Sequence, residues 1–276
     1  MININQDLLD VTALSVRYQN NTPFPHIVLD DFLPTAVAEQ LEQDFPDYVD
    51  HNQWIHYHHF NENKLGLNNK AAIPASLLEI IRQLNSQQFL NFLEGLTGIK
   101  NLIADETLEG GGLHVSRRGG YLNIHTDFET HPKDLHLLRR INVLLYLNKN
   151  WPTSYNGDLE FWSKDMQQCE AKISPIFNRL VVFNTTNISF HGFPDKINCP
   201  DTAFRKSIAL YYYIRTDLAN PIKTTKYQVK PGEKSKIIPN WLDNTLILIY
   251  TYLKRKLNIS DEAMSKFLHW KNRFKL

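Results

Sequence analysis

Between about residue 102 and residue 216, short apolar segments alternate with clusters of Gly, Pro and Asn. Runs of this length, bounded by turn residues, predict β-strands. The candidate strands are residues 121–127, 141–147, 158–162, 180–184 and 207–215. Many short strands in succession favour an antiparallel double sheet over a sheet interleaved with helices.

The flanking segments carry a different pattern. Residues 25–30 predict a strand, and a helix is expected from Pro34 to about residue 45. A capping box of Ser76 and Glu79 predicts the start of another helix, and a further helix should end near Leu96. Residues 46–72 are polar and irregular, which is typical of a long loop.

The C-terminal segment predicts helices again. Apolar residues spaced by three and four mark an amphipathic helix, and Ser260 is placed to cap a final short one. The apolar positions are Trp241, Leu242, Leu246, Ile249, Leu253 and Leu257.

These patterns together predict an α+β fold with a jelly-roll or cupin-like double sheet at its core. Helices should pack on the N-terminal side, and a helical extension should follow the core. A generic α+β sandwich remains an alternative at this point. The predicted units are a domain over 1–220, with helical support in 1–100 and a β core in 101–216, and a basic extension over 221–276.

Composition narrows the class of protein. The chain is 42% hydrophobic and 21% charged, which is ordinary for a globular protein. No signal-peptide pattern opens the sequence, and no apolar run is long enough to span a bilayer. With only Cys169 and Cys199, no disulfide framework is expected. A cytoplasmic protein without a membrane span is the resulting prediction.

The net charge of +1 conceals an uneven distribution. Residues 221–276 hold 12 Lys and Arg against 4 Asp and Glu, so the rest of the chain is acidic. Such a tail is compatible with nucleic acid or an anionic membrane surface. The absence of Arg-rich runs favours docking onto the acidic body or a partner subunit instead. We therefore expect no nucleic acid and consider a homodimer formed through the C-terminal helices.

One group of residues could hold a metal. His125 and Asp127 are two positions apart on a predicted strand, so their side chains should share one face with Tyr121 and Asn123. About one such His-x-acid pair is expected by chance in this composition. His191, which follows a later strand, could close a site with two histidines and one carboxylate, the ligand set of non-haem Fe(II) oxygenases.

A buried cation is predicted beside this group. Arg205 opens a strand on which it shares a face with Ser207, and a buried arginine needs an anionic partner. Its planar fork suits a carboxylate. On the strand over 141–147, the face of Arg140 and Asn142 also carries Tyr146, whose hydroxyl could bond to the same carboxylate.

The ordered motifs resemble the prolyl 4-hydroxylase-like branch of the Fe(II)/2-oxoglutarate dioxygenases. The similarity covers roughly residues 100–215, and it rests on runs of sequence in this order: GGYLNIHTDF, RRINVLLYLN, NGDLEFW, LVVFN, HG and RKS. The collagen-type enzymes use Lys at the position of Arg205, so the resemblance is not to that subgroup.

The resemblance implies a double-stranded β-helix, with Fe(II), 2-oxoglutarate and O2 as cofactors and ascorbate as a candidate stimulant. It implies that His125, Asp127 and His191 bind iron. Arg205 would hold the far carboxylate of 2-oxoglutarate, assisted by Tyr146. We add Asn142, Tyr121 and Ser207 as cosubstrate candidates, and Arg140, Asn123 and His114 as substrate candidates.

Three functions stay open on this evidence. The first is a hydroxylase acting on a peptidyl prolyl group or another C–H site, on a small molecule or a side chain, with succinate and CO2 as coproducts. The second is a cupin-like metal enzyme that does not use 2-oxoglutarate. The third is a non-catalytic scaffold acting through its basic tail. The His56-Tyr-His58-His59 run favours a solvated or substrate-facing loop over a second metal site.

Overall fold

The computed structural model describes residues 10–46 and 53–257. Its helices are α1 (Val11–Asn20), α2 (Thr35–Gln43), α3 (Ala75–Leu84), α4 (Gln87–Thr97) and α5 (Ile237–Leu257). Its strands are β1 (His26–Leu29), β2 (Ile55–His59), β3 (Glu62–Leu67), β4 (Ile103–Ala104), β5 (Gly112–Ser116), β6 (Tyr121–Thr126), β7 (Leu137–Tyr146), β8 (Leu159–Trp162), β9 (Cys169–Ile173), β10 (Arg179–Asn184), β11 (His191–Phe193), β12 (Arg205–Arg215) and β13 (Lys226–Tyr227). Short 3-10 turns lie at Thr153–Tyr155 and Lys234–Lys236.

The strands form one antiparallel sheet that curls into a nearly closed barrel. Their order is β1-β10-β7-β12-β5-β3-β6-β11-β8-β9, with β2, β4 and β13 pairing onto β3, β12 and β6. Aromatic packing connects the two sides of the sheet near its ends, since the Phe24 ring, just before β1, lies 4.7 Å from the ring of Phe161 on β8. This is the predicted jelly-roll architecture, the double-stranded β-helix.

Alternation along the central strands separates two environments. On β7 and β12, residues such as Val143 and Leu210 point outward into the main apolar cluster, which they share with Leu77 and Phe89 of the helices. The opposite face of the same strands carries Tyr146, Arg205 and other polar side chains into the barrel. Because side chains alternate with a period of two, one strand can serve both the core and a site.

Local signals explain the helix ends. In α4, the Ser86 hydroxyl accepts a hydrogen bond from the Phe89 N–H, and Gly98 ends the helix with a φ of 75°. The expected capping box at Ser76 is wrong. Pro74 precedes α3, and the Ser76 hydroxyl instead donates to Asp44 at 2.6 Å.

The predicted loop over residues 46–72 is also wrong in its central part, where β2 and β3 form a hairpin. Strand β3 then joins the barrel between β5 and β6. The helical support expected over 1–100 therefore contributes β1, β2 and β3 to the sheet, and β13 from the basic extension pairs with β6. The boundaries of the units stay a prediction.

Helix α5 forms where the spacing of apolar residues predicts it, but no helix in the described ranges is long and apolar enough to cross a membrane. The final helix expected after Ser260 lies outside the described residues.

Candidate metal and cosubstrate site

Three side chains converge inside the barrel. His125 on β6 and His191 on β11 are direct partners in the pairing of these strands, and Asp127 follows the end of β6. One ligand atom from each lies within 4.8 Å of the others, and both histidines are buried. Among the residues that the structure describes, this is the one group of His, Cys, Asp and Glu side chains with such a geometry.

Hydrogen bonds fix the tautomer of both histidines. Nδ1 of His125 lies 2.9 Å from the Asn123 carbonyl oxygen, and Nδ1 of His191 lies 2.9 Å from the Ser189 carbonyl oxygen. A carbonyl oxygen can only accept, so each Nδ1 carries the proton and each Nε2 presents a lone pair. Burial lowers the pKa of His125, which favours its neutral form.

The two lone pairs face a carboxylate. Nε2 of His125 lies 3.5 Å from Oδ1 of Asp127, and Nε2 of His191 lies 3.3 Å from Oδ2. In this tautomer all the facing atoms are hydrogen-bond acceptors, so they repel one another unless a positive ion lies between them. The donor set therefore fits a divalent metal bound by two imidazoles and one carboxylate.

Asp127 is held by neighbours of its own. Its Oδ2 accepts hydrogen bonds from Nη2 of Arg139 at 3.0 Å and from Nδ2 of Asn142 at 2.6 Å. Burial alone would raise the pKa of Asp127, but the charge of Arg139 keeps it well below its usual range. The carboxylate is consequently ionised and fixed in orientation, as a metal ligand requires.

Arg139 occupies the position expected for Arg140. The β7–β12 pairing runs from Tyr212 opposite Ile141 to Tyr213 opposite Arg139, so Arg140 is the extra residue of a β-bulge. The bulge reverses the alternation and places Arg139, 1% exposed, inside the barrel. Arg139, and not Arg140, is therefore the residue that contacts Asn142 and Asp127, and a substrate role for Arg140 stays a prediction.

The second cation lies further along the barrel. Arg205, 5% exposed, donates from Nε to the Gly157 carbonyl at 2.8 Å and from Nη2 to the Tyr146 hydroxyl at 3.1 Å. Its guanidinium carbon lies 4.2 Å from the centre of the Phe193 ring. In the described ranges, none of the ion pairs involves Arg205, so this buried cation has no carboxylate of the protein to neutralise it.

Two more candidates lie in the same row of the sheet. Ser207 is paired with Tyr146 on one side and with His114 on the other. Burial, followed by the charge of Lys64, lowers the pKa of His114 to about 3. Its Nε2 is buried and has no hydrogen-bond partner among the described residues. Roles for Ser207 and His114 in binding stay predictions.

Tyr121 and Asn123 lie elsewhere. The Tyr121 hydroxyl donates to the His59 carbonyl at 3.3 Å, and the Asn123 amide donates to Asn61 at 3.0 Å. Both contacts lead to the turn between β2 and β3 rather than toward Arg205. A register irregularity between β6 and β11 interrupts the alternation on which their assignment depended.

The hairpin contributes residues that the sequence analysis did not identify. Nζ of Lys64 lies 2.8 Å from Oε1 of Glu62 inside the structure, and the Tyr227 hydroxyl donates to Oε2 of Glu62 at 3.0 Å. The rings of Tyr227 and His125 are 5.3 Å apart. His59, from the His-rich run, contacts Glu62 and Asp243 instead of a metal. Residues 62–66 show no alternation of apolar and polar residues, so the sequence carries no signal for this strand.

Comparison with known proteins agrees with this geometry. Residues 111–213 match the model of the 2OG-Fe(II) oxygenase superfamily. No curated protein matches the sequence. The matched segment contains the three converging side chains and Arg205, so the core of this chain is a 2OG-Fe(II) oxygenase domain, of the class that uses Fe(II), 2-oxoglutarate and O2.

Solved structures show the same fold. A prolyl hydroxylase from Trichoplax adhaerens, in complex with a peptide fragment of the hypoxia inducible factor oxygen degradation domain, is 18% identical with a TM-score of 0.52. The match covers 74% of this chain and 89% of that chain. A prolyl-4-hydroxylase from Pseudomonas putida is 15% identical with a TM-score of 0.51, over 73% and 99% of the two chains. The epimerase SnoN of nogalamycin biosynthesis is 10% identical with a TM-score of 0.52, over 76% and 85%. The chain thus shares its fold with these proteins.

Proposed function

We propose that this protein hydroxylates an unactivated C–H bond, in the manner of a prolyl hydroxylase, with succinate and CO2 as coproducts. His125, Asp127 and His191 would hold the Fe(II), and Arg205 would bind the far carboxylate of 2-oxoglutarate. The observation that carries this proposal is the buried guanidinium of Arg205. It has no carboxylate partner in the described structure, and it lies inside the barrel that contains the metal ligands.

Each part of the proposed site has a distinct task. When bound, Fe(II) and 2-oxoglutarate supply the oxidising chemistry: O2 is reduced as the cosubstrate loses CO2, and one oxygen atom enters the substrate. Arg205 neutralises and orients a dicarboxylate through its fork of N–H donors. The Tyr146 hydroxyl accepts from Arg205, which leaves its own proton free to donate to the same carboxylate. Burial raises the pKa of Tyr146 and so favours its protonated form.

Two classes of substrate are compatible with this fold. A peptide fragment, in the Trichoplax complex, and a small molecule, in the SnoN structure with nogalamycin RO, are both bound by proteins of this fold. We propose a small-molecule or peptidyl substrate. The homodimer through the C-terminal helices, the absence of nucleic acid and the cytoplasmic location stay predictions.

Anaerobic titration with Fe(II) and 2-oxoglutarate tests the proposal directly, because their chelate gives a visible charge-transfer band. The wild-type protein should show the band and should convert 2-oxoglutarate to succinate in the presence of O2. Asp127→Asn and His191→Ala should lose both. Succinate formation at the wild-type rate in either variant would refute the ligand assignment. A metal-binding protein with no band would favour a cupin-like enzyme that does not use 2-oxoglutarate.

A further inference from the structure

Helix α5 is attached to the barrel by its polar side. Asp243 is buried, and its Oδ2 lies 2.9 Å from Nδ1 of His59 and accepts from the Asn61 amide at 2.7 Å. The Asn240 and Asn244 amides both donate to the Tyr227 carbonyl at 3.1 Å. These contacts fix which side of the helix faces the protein.

The apolar side of α5 is consequently turned away from the protein. Nine large apolar side chains on the helix are between 44% and 71% exposed. At about 100° per residue they cover roughly one half of the helix circumference, and the polar attachment residues occupy the other half. This apolar face consists of Ile237, Ile238, Trp241, Leu242, Leu246, Leu248, Ile249, Tyr252 and Leu253.

A face of this size needs a partner. Monomeric soluble proteins rarely leave contiguous apolar patches larger than a few hundred Å² in contact with water. The usual amphipathic helix of a globular domain buries its apolar side and exposes its polar side, and α5 does the reverse. The sequence spacing correctly predicts an amphipathic helix, but the barrel does not cover its apolar side.

Charge identifies the partner. Asp243 is the sole acidic residue in the sequence of α5, and it is buried against His59. Exposed Lys234 precedes the helix and exposed Lys256 lies at its end, within a segment, 221–276, that holds 12 Lys and Arg against 4 Asp and Glu. Two copies meeting through this segment would bring like charges together, whereas an anionic surface is complementary to it.

Shape and residue type agree with the charge. A single partner helix covers a seam narrower than half the circumference, but a flat lipid surface can cover the whole face. Trp241 and Tyr252, both more than half exposed, are residues that favour the boundary between headgroups and acyl chains.

We propose that α5 binds the surface of a membrane rich in anionic lipid, with its apolar face in the boundary between headgroups and acyl chains. The helix lies on the membrane and does not cross it. Since α5 contacts β13, which pairs with the strand of His125, binding would hold one side of the oxygenase barrel close to the lipid.

Co-sedimentation of the full-length protein with lipid vesicles tests this proposal. Binding to vesicles of phosphatidylcholine mixed with phosphatidylglycerol should exceed binding to phosphatidylcholine alone by at least about tenfold, and high salt should weaken it. The double variant Trp241→Ser and Leu246→Ser should lose at least about tenfold in binding, because it removes apolar area from the face. Its succinate formation should match the wild type.

Val16→Ser is the matched control, since Val16 is a 59% exposed apolar residue on α1 and lies outside the apolar face. It should bind vesicles as the wild type does. Equal binding by the double variant, or no binding to anionic vesicles, overturns the proposal. Sedimentation equilibrium then shows whether the face joins two copies: a dimer that the double variant converts to a monomer would assign the face to self-association.

Discussion

Two arginines lie buried inside the same barrel, but only one of them is paired with a carboxylate of the protein. Arg139 is paired with Asp127 and bonded to Asn142. Arg205 reaches only neutral oxygens, the Gly157 carbonyl and the Tyr146 hydroxyl. In a buried ion pair, each charge offsets the desolvation penalty of the other. A buried cation without a carboxylate carries its desolvation penalty until an anion binds to it.

The difference separates two roles that burial and residue type alone do not distinguish. Arg139 acts on a residue of the protein, since it holds the carboxylate that we assign to the metal. Arg205 has no such partner, and we assign it to the carboxylate of a bound cosubstrate. Substitutions that treat the two arginines identically are therefore expected to have different consequences.

The largest effect on stability is expected from Arg139→Met, measured as the free energy of unfolding in urea with metal removed by a chelator. The substitution leaves Asp127 buried without its charged partner, which should cost about 3–5 kcal/mol. Arg205→Met is the matched control, because it removes only hydrogen bonds to neutral oxygens, leaves no charge buried without a partner, and should cost no more than about 1–3 kcal/mol. Equal losses in the two variants would contradict the distinction.

Arg205→Met should have the larger effect on the cosubstrate. Loss of a buried charged contact typically costs about 2 kcal/mol or more, so the KM for 2-oxoglutarate should rise by about 30-fold or more. Arg205→Lys should recover part of the loss, because a lysine keeps the charge without the planar fork. Succinate formation at increasing 2-oxoglutarate concentrations measures both variants. An unchanged KM in Arg205→Met would remove the proposed carboxylate site.

Asn142→Ala tests the support of Asp127 without altering charge. It removes the 2.6 Å hydrogen bond to Oδ2, and the affinity for Fe(II) should fall by about 10–100-fold. Asn123→Ala is the control, since that amide bonds to Asn61 and not to a metal ligand. Calorimetric titration with the metal measures both. If the two variants lose affinity equally, Asn142 has no special part in holding the ligand.

His59 is a half-buried cation that can lose its charge, and it contacts two carboxylates. Burial alone would lower the pKa of His59, but hydrogen bonds to Asp243 and Glu62 raise it to about 9. The pKa is raised in the folded state, so the stabilisation is fully present below about pH 6.5. It is lost as the pH rises through about 9. The difference in unfolding midpoint between wild type and His59→Gln should shrink across that window, and a constant difference would contradict the pairing.

The smallest effect is expected from Arg140→Ala, on the residue next to Arg139. Arg140 is the extra residue of the bulge, and its substitution should change stability by no more than about 0.5 kcal/mol. A loss comparable to that of Arg139→Met would show that the bulge is placed wrongly.

Much of the site follows from strand alternation in the sequence. Alternation on β12 predicts that Arg205 and Ser207 face the interior, and alternation on β7 does the same for Asn142 and Tyr146. The order of ligands along the sequence, with His191 after a later strand, indicates a site closed by distant strands. The side chains of these residues follow the regular alternation of a strand, so their direction can be predicted from the sequence.

The remaining errors arise where geometry is irregular or the pattern is weak. A bulge exchanges Arg139 for Arg140, and one inserted residue leaves no mark on composition or spacing. The hairpin of β2 and β3 holds Glu62 and Lys64 in a stretch whose polarity is typical of loops. For α5, spacing predicts an apolar side, but only the contacts of Asp243 show that this side faces away.

The pairing of His125 with His191 has a consequence for the lifetime of the protein. Strand β11 has only three residues, and Gly192 at its centre lies so close to β6 that a side chain there would stand 2.7 Å from the Leu122 carbonyl oxygen. A metal bound by both histidines would link β6 to β11. At a free concentration about one hundred times its dissociation constant, such a ligand adds about 2.7 kcal/mol of stability. Loading of the metal would then decide how well the folded protein resists proteolysis, because the bound ion stabilises only the folded state.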